Sequence, residues 1–240
     1  MELILDLCNQ HHGDLNELKR MTINAFSAGA DVVKVQLMDS ENYLGTKYKK
    51  YRDISEEHFF EWVEYCNNLG VEAMASVFDE LRLDWVKSAN LQRHKIASRL
   101  LIDKPGLCKK ILDDDKPTII STGKIEEQSF PYGFGGGRIS YLFCVSEYPT
   151  MLYNSKLRRM PTVFNSQNYI GYSDHTIGMA AVLEAFRRGA SIVEKHFSNN
   201  PLAQGEHEGA HLCSFDKEML SQFKSLTRQL AVLNGGKNVA

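Results

Sequence analysis

The chain has 240 residues, with 28 Lys and Arg against 30 Asp and Glu for a formal charge of −2, and 43% of its residues are hydrophobic. That composition supports a sizeable core and excludes a disordered chain, while the near-neutral balance argues against a dedicated nucleic-acid surface. No apolar run approaches the ~20 residues that span a bilayer, Leu3-Ile4-Leu5 stops at Asp6, and five cysteines without a C-x-x-C pair fit a reducing cytoplasm.

In chain order, short β-rich apolar runs recur, and most are followed by a segment of helical period. Residues 3–7 read as a strand. Asp14, with Glu17 three residues on, reads as a capping-box-like helix start, after which Leu15, Leu18, Thr22, Ala25 and Gly29 share one face. Residues 32–35 form the second strand. A helix is predicted from Ser55 through Phe59, Trp62, Val63, Cys66 and Leu69, closed by a C-cap at Gly70. Residues 71–77 and 94–97 are strands, followed by helices over 80–89 and 105–112. Residues 118–121, 141–145, 170–173 and 192–195 complete the strands, with helices over 179–188 and from Asp216 to just before Gly235.

Eight strands alternating with helices imply parallel pairing through right-handed crossovers. They close most simply into an α/β protein of the (β/α)₈ TIM-barrel class, here one domain over residues 1–240; typical barrels have about 250 residues. A doubly wound open sheet is the alternative. Only residues 131–138, rich in Gly and aromatics, depart from the alternation, which predicts a shortened or degenerate helix between strands five and six.

In a barrel of this kind the chemistry sits at the carboxyl ends of the strands. Those ends carry Asp6, Lys34, Gln36, Ser76, Lys95, Ser98, Ser121, Thr122, Ser146, Glu147, Tyr148, Ser173, Asp174, His175, Lys195 and His196. A single serine there is ordinarily a turn or cap residue and a single lysine ordinarily solvated. Lys34, Lys95, Ser76, Ser98, Ser121 and Ser173 converging on one mouth read instead as a phosphate cradle. His175 and His196 end neighbouring strands and can reach one ion (Mn, Fe, Co or Zn by ligand type) with positions left for substrate oxygens. Two independent hydrogen-bonding histidines are the other reading.

These segments together resemble the sialic acid synthase family. Asn9-Gln10-His11-His12-Gly13-Asp14 is similar to that family's N-H-N-G-D opening. Further similarity lies in Ala28-Gly29-Ala30-Asp31-Val32-Val33-Lys34-Val35-Gln36, Lys95-Ile96-Ala97-Ser98 and Ile120-Ser121-Thr122-Gly123. It continues through Cys144-Val145-Ser146-Glu147-Tyr148-Pro149-Thr150, Gly171-Tyr172-Ser173-Asp174-His175-Thr176 and Glu194-Lys195-His196-Phe197. The resemblance implies condensation of phosphoenolpyruvate with an open-chain N-acylated aldose, giving a sialic-type nonulosonic acid and phosphate. It implies a divalent metal on His175 and His196, Mn²⁺ first with Mg²⁺ or Co²⁺ as alternatives. It further implies catalytic roles for Asp6, Lys34, Lys95 and His196, and substrate contacts by Gln36, Ser76, Ser98, Ser121, Ser146, Tyr148, Ser173 and Glu206. The family's acid at the position of Asp6 is normally Glu, and Glu206 matches a G-P-D-H segment only loosely. A homodimer is the assembly implied.

The departures are specific. A family glutamate that contacts the acceptor sugar is replaced by Leu100, after Arg99, and Thr-Pro becomes Ser76-Val77. The family's C-terminal antifreeze-like domain, which brings an arginine to a partner's site, is expected to be missing. These departures keep two other readings open: a keto-deoxy sugar acid synthase using another aldose, and a non-catalytic barrel acting as a binding partner.

Other signals are set aside. His207-Glu208-Gly209-Ala210-His211 spells H-E-x-x-H, but Gly209 weakens the helix that a zinc protease needs. Residues 133–137 precede a strand rather than opening a helix, unlike a dinucleotide loop. Ser173, Asp174 and His175 alternate faces and cannot form a relay. The basic run from Lys47 to Arg52 reads as a solvated loop, with steering of an anionic substrate as the functional alternative.

Overall fold

Strand β1 (Glu2–Cys8) is buried on both faces, as a strand is when helices cover one side and a barrel interior the other. The computed structural model describes residues 1–45, 53–126, 128–202, 212–233 and 235. Its strands are β1, β2 (Val32–Leu37), β3 (Glu72–Val77), β4 (His94–Ile96), β5 (Thr118–Ser121), β6 (Ile139–Cys144), β7 (Tyr169–Asp174) and β8 (Ile192–His196). They form a closed parallel barrel in sequence order, and β1 pairs with both β2 and β8. The open sheet is thereby excluded.

Side-chain alternation with period two divides the core in two. Ile4, Val32, Met74, Ile119, Leu142 and Ile192 point inward and fill the barrel floor. Leu3, Leu5, Leu7, Val33, Val35 and Val193 point outward beneath the helices. Those helices are α1 (Leu15–Ser27), α2 (Ser40–Leu44), α3 (Glu56–Leu69), α4 (Glu80–Ser88), α5 (Leu100–Asp103), α6 (Pro105–Leu112), α7 (Ala180–Arg187) and α8 (Lys217–Leu233). In α3 the i, i+3, i+4 spacing buries Phe59, Trp62, Val63 and Cys66. The Trp62 indole donates to Thr22 Oγ1 at 2.9 Å, so its polar atom is satisfied inside the core.

Local signals set the helix ends. Asp14 caps α1 by accepting from the amides of Asn16 and Glu17, while Glu17 pairs with Arg20 at 2.8 Å, so only half of a capping box forms. Gly29 lies beyond the end of α1 at φ +108°, where the expected apolar face has already stopped at Ala25. Gly70 ends α3 in the left-handed conformation expected of it.

Two connections depart from alternation. Between β5 and β6 the described residues form only isolated bridges, Pro131 with Gly133 and Gly136 with Ile139, as anticipated for a degenerate helix. Between β6 and β7 there is one 3₁₀ turn, Leu157–Arg159, where regular alternation predicted no exception; Pro149 and Pro161 bracket this stretch and leave little room for a helix. The short helices α2 and α5 have too few residues to show a period. No helix among the described residues is long and apolar enough to cross a membrane.

Candidate functional site

Alternation along the strands carries polar side chains above the apolar floor, two or more residues nearer each carboxyl end. On β1 the inward series is Ile4 then Asp6; on β2 it is Val32, Lys34, Gln36; on β8 it is Ile192, Glu194, His196. The inward side chains enclose a cavity of about 340 Å³ at the carboxyl ends of the strands. Asp6, Lys34, Gln36, Ser76, Lys95, Ser98, Ser121, Ser146, Tyr148, Ser173, His175 and His196 all line it. Glu206, the basic run from Lys47 to Arg52 and the H-E-x-x-H segment lie outside the described residues. Thr122 belongs elsewhere: its hydroxyl donates to the Leu142 carbonyl at 3.3 Å. Asp174 and Lys195 also leave the mouth, because each precedes an inward histidine and therefore faces the helical layer.

An acidic residue completes the cavity that sequence reading passed over. Glu194 on β8 lies 3.2 Å from Lys34 and 3.3 Å from Lys95, and Asp6 lies 2.6 Å from Lys34. Lys34 Nζ also donates to Ser76 Oγ at 3.4 Å, and Lys95 Nζ to Ser121 Oγ at 2.9 Å. Ser98 and Ser146 hydroxyls meet at 2.7 Å, and Gln36 Nε2 donates to Asp6 at 3.0 Å. The cradle is thus not a patch of surplus positive charge. Two buried lysines face two buried carboxylates.

The electrostatics follow from burial set against these pairs. Burial works against a charged Asp6, but Lys34 and then His196 outweigh it and hold the carboxyl below its ordinary value. Burial likewise opposes the Glu194 charge, and Lys95 and Lys34 overcome it. Lys34 is raised: burial is outweighed by Asp6 and Glu194. Lys95 is lowered, by burial first and with Lys34 adding to it against Glu194. His196 is lowered by burial, with Asp6 opposing, so its imidazole is neutral.

The His175 and His196 rings stand 5.4 Å apart between centroids, with Tyr148 4.2 Å from His175 and 5.9 Å from His196. His175 Nδ1 lies 2.9 Å from the Val145 carbonyl. A carbonyl only accepts, so Nδ1 carries the proton and the Nε2 lone pair is left available. His196 Nδ1 is buried with no hydrogen-bond partner. Two imidazoles, His175 turned by its Nδ1 bond so that Nε2 faces away from Val145 and His196 with Nδ1 unpartnered, are a donor set that fits a divalent ion such as Mn²⁺. Among the described residues no group of three or more His, Cys, Asp or Glu converges on one point. An ion held here would therefore keep positions for water and substrate oxygens. Cys144, named in a resembling segment but given no site role by the sequence, also lines the cavity, 3.7 Å from His175 Nδ1.

The rim differs from the floor. Arg99 and Lys124 line it with Tyr43, Leu44 and Phe78. Leu100 is fully buried in the outer core and does not face the cavity.

The profile of the NeuB family matches residues 21–238. N,N'-diacetyllegionaminic acid synthase of Legionella pneumophila is 31% identical over 95% of this chain and 71% of its own length. N-acetylneuraminate-9-phosphate synthase of Drosophila melanogaster is 29% identical over 94% of this chain and 66% of its own length. Among solved structures, N-acetylneuraminic acid (sialic acid) synthetase from Leptospira borgpetersenii, in complex with citrate, superposes with a TM-score of 0.84 at 25% identity. That superposition covers 99% of this chain and 86% of that one.

Proposed function

The chain belongs to the NeuB family, whose synthases join phosphoenolpyruvate to a sugar through a new carbon–carbon bond, and from that premise we propose its particular reaction. It condenses phosphoenolpyruvate with an N-acylated aldose resembling N-acetylmannosamine, giving a sialic-type nonulosonic acid and inorganic phosphate. The observation that carries this reading is one cavity lined together by two buried lysines, a set of serine hydroxyls and two imidazoles.

In this reading Ser76, Ser98, Ser121, Ser146 and Ser173 donate to phosphate oxygens, and Lys34 and Lys95 offset the charge of phosphate and carboxylate. His175 and His196 would hold a divalent metal, Mn²⁺ before Mg²⁺ or Co²⁺, which supplies Lewis acidity at the aldehyde oxygen. The enol carbon C3 bonds to the aldehyde carbon, whose C=O electron pair moves to oxygen and takes up a proton. Asp6, kept ionised beside Lys34, takes a proton from the water that adds at C2. The C2–O bond to phosphate then breaks with its electron pair on the leaving phosphate, which takes up the proton of the C2 hydroxyl as the 2-keto acid forms. Gln36 orients Asp6, while Tyr148, half exposed over His175, borders the acceptor.

A second reading, another aldose with the same chemistry, is favoured by one observation: Leu100 is buried in the core, and the side chain presented to the cavity there is the cationic Arg99. Phosphate release from phosphoenolpyruvate with Mn²⁺, measured across a panel of aldoses with and without N-acyl and phosphate groups, separates the two. Turnover confined to N-acylated aldoses supports the first. No turnover with any acceptor, while phosphoenolpyruvate still binds, overturns both. His175→Ala and His196→Ala are each expected to lower the Mn²⁺-dependent rate at least about a hundredfold, and unchanged activity would refute the ligand assignment.

A further inference from the structure

Behind the two histidines, on the outward face of the same strands, lies a second ionic cluster that touches no part of the cavity. Asp174 precedes His175 on β7, Lys195 precedes His196 on β8, and the two form a register pair across the strands. Their side chains are wholly buried and directly ion-paired. Every polar atom has a use. Asp174 Oδ1 accepts from Tyr172 OH at 2.7 Å and from the Thr176 amide at 2.9 Å. Its Oδ2 accepts from Thr176 Oγ1 at 3.1 Å as well as from Lys195. Lys195 Nζ donates to the Thr176 carbonyl at 2.8 Å and sits 4.9 Å from the Phe215 ring centre. The Phe215 amide in turn donates to the His196 carbonyl at 2.8 Å.

We propose that the Asp174–Lys195–Thr176 cluster is a positioning device that fixes the spacing and aim of His175 and His196 for a divalent metal. The inference rests on the reading above that these two imidazoles hold the metal. The cluster grips the backbone on both sides of His175, at Asp174 and at Thr176, and ties it to the residue before His196. Phe215, lying under the lysine, holds the carbonyl of His196 itself. Stability alone does not call for such a pair, since a buried ion pair replaced by apolar residues of similar volume is often neutral or more stable. Directional hydrogen bonds of fixed length are what apolar packing would lack. With two histidine ligands among the described residues, the inter-imidazole geometry has no third side chain there to correct an error. Outer partners of metal ligands elsewhere are worth ten- to a hundredfold in metal affinity.

The test uses the full chain and Mn²⁺ alone, with affinity read by calorimetry and by the electron paramagnetic resonance of free Mn²⁺, alongside melting temperature without metal. An Asp174→Leu, Lys195→Met double variant removes both charges together. It is expected to retain a cooperative melt while weakening Mn²⁺ at least about tenfold. Thr176→Val deletes one hydrogen bond without stranding a charge and is expected to weaken Mn²⁺ about threefold, with Thr176→Ser restoring it. A folded double variant, or Thr176→Val if the double variant does not fold, that binds Mn²⁺ within twofold of the native protein overturns the proposal. If instead the native protein binds no Mn²⁺, or His175→Ala and His196→Ala leave its affinity unchanged, the metal reading itself falls and takes the proposal with it.

Discussion

Glu194 shares its two carboxylate oxygens between Lys34 and Lys95, so it sets the charge state of the cavity before any ligand arrives. Glu194→Gln leaves Lys95 without a carboxylate and Lys34 with Asp6 alone. Removing one partner of a buried pair costs about 3–5 kcal/mol, which for a chain of this size lowers the melting temperature by on the order of 10 °C. Added inorganic phosphate should recover more of that loss in the variant than it adds to the native protein, because it supplies the missing counter-charge. Equal phosphate responses in the two proteins would show that the lysines are not an anion site. His11 makes the complementary case outside the cavity. Burial, aided by His12, pushes it down to about 4, below its ordinary 6.5, although Cys8 and Asp14 oppose. Its Nδ1 accepts from the Gly13 amide at 3.0 Å. Between pH 6.5 and 4 the unfolded chain binds a proton that the folded one refuses. Stability therefore falls as pH falls through that window, by about 3 kcal/mol in full. His11→Asn keeps an acceptor for Gly13 and removes the titration. Urea midpoints should then lose part of their slope between pH 6.5 and 4, the rest belonging to groups such as His196 and His94, which burial also lowers, and an unaltered slope would assign all of it to those other groups.

At the scale of elements, β7 with the residue after it and β8 carry Ser173, His175, Glu194 and His196 between them, and the close approach of the strands depends on one glycine. A Cβ on Gly171 would stand 1.9 Å from the Ile192 carbonyl oxygen and 2.7 Å from its carbon, both backbone atoms that cannot rotate away. Gly171→Ala must therefore part the two strands. We expect a loss of about 3 kcal/mol or more in urea unfolding, at or beyond the upper end of ordinary overpacking, or an insoluble product. A loss below about 1 kcal/mol would mean that the barrel yields at this seam. Gly123 plays a similar part where a Cβ would lie 2.5 Å from Ser146 Oγ, so the turn after β5 can pass over the end of β6.

Across the whole molecule, the strands were legible because a parallel barrel writes each of them as a short apolar run with a polar residue at its carboxyl end. The long helices were legible from their caps, Asp14, Ser55 and Gly70. The 3₁₀ connection between β6 and β7 was not, because exposed apolar residues such as Leu152 and Tyr153 leave no periodic stripe. Among the cavity residues, lysines, serines and histidines stood out by type at the strand ends. Glu194, present in a resembling segment, carries no site role in sequence because it lies one place before the lysine that ends the predicted strand, and only three-dimensional closure shows that it faces two lysines far away in sequence. Asp174 and Lys195 were read as mouth residues because position along a strand is visible in sequence, whereas the face is fixed only by register. At the opposite end, Arg93 binds both Glu2 and Glu72 with bonds of 2.8–2.9 Å and ties β4 to β1 and β3 beneath the floor.

The alternation of Glu194 and Lys195 on the last strand has a consequence for how the barrel closes. A slip of β8 by one residue against β1 and β7 would reverse its faces. Lys195 would enter the interior beside Lys34 and Lys95, three cations in a dry space, while Glu194 would be driven into the apolar layer without a partner. Asp174 would lose its lysine at the same moment. A one-residue slip thus strands buried charges of both signs, which the native alignment pairs in the inner and outer clusters. The same side chains that offer a place for an anion also act as a checksum on assembly.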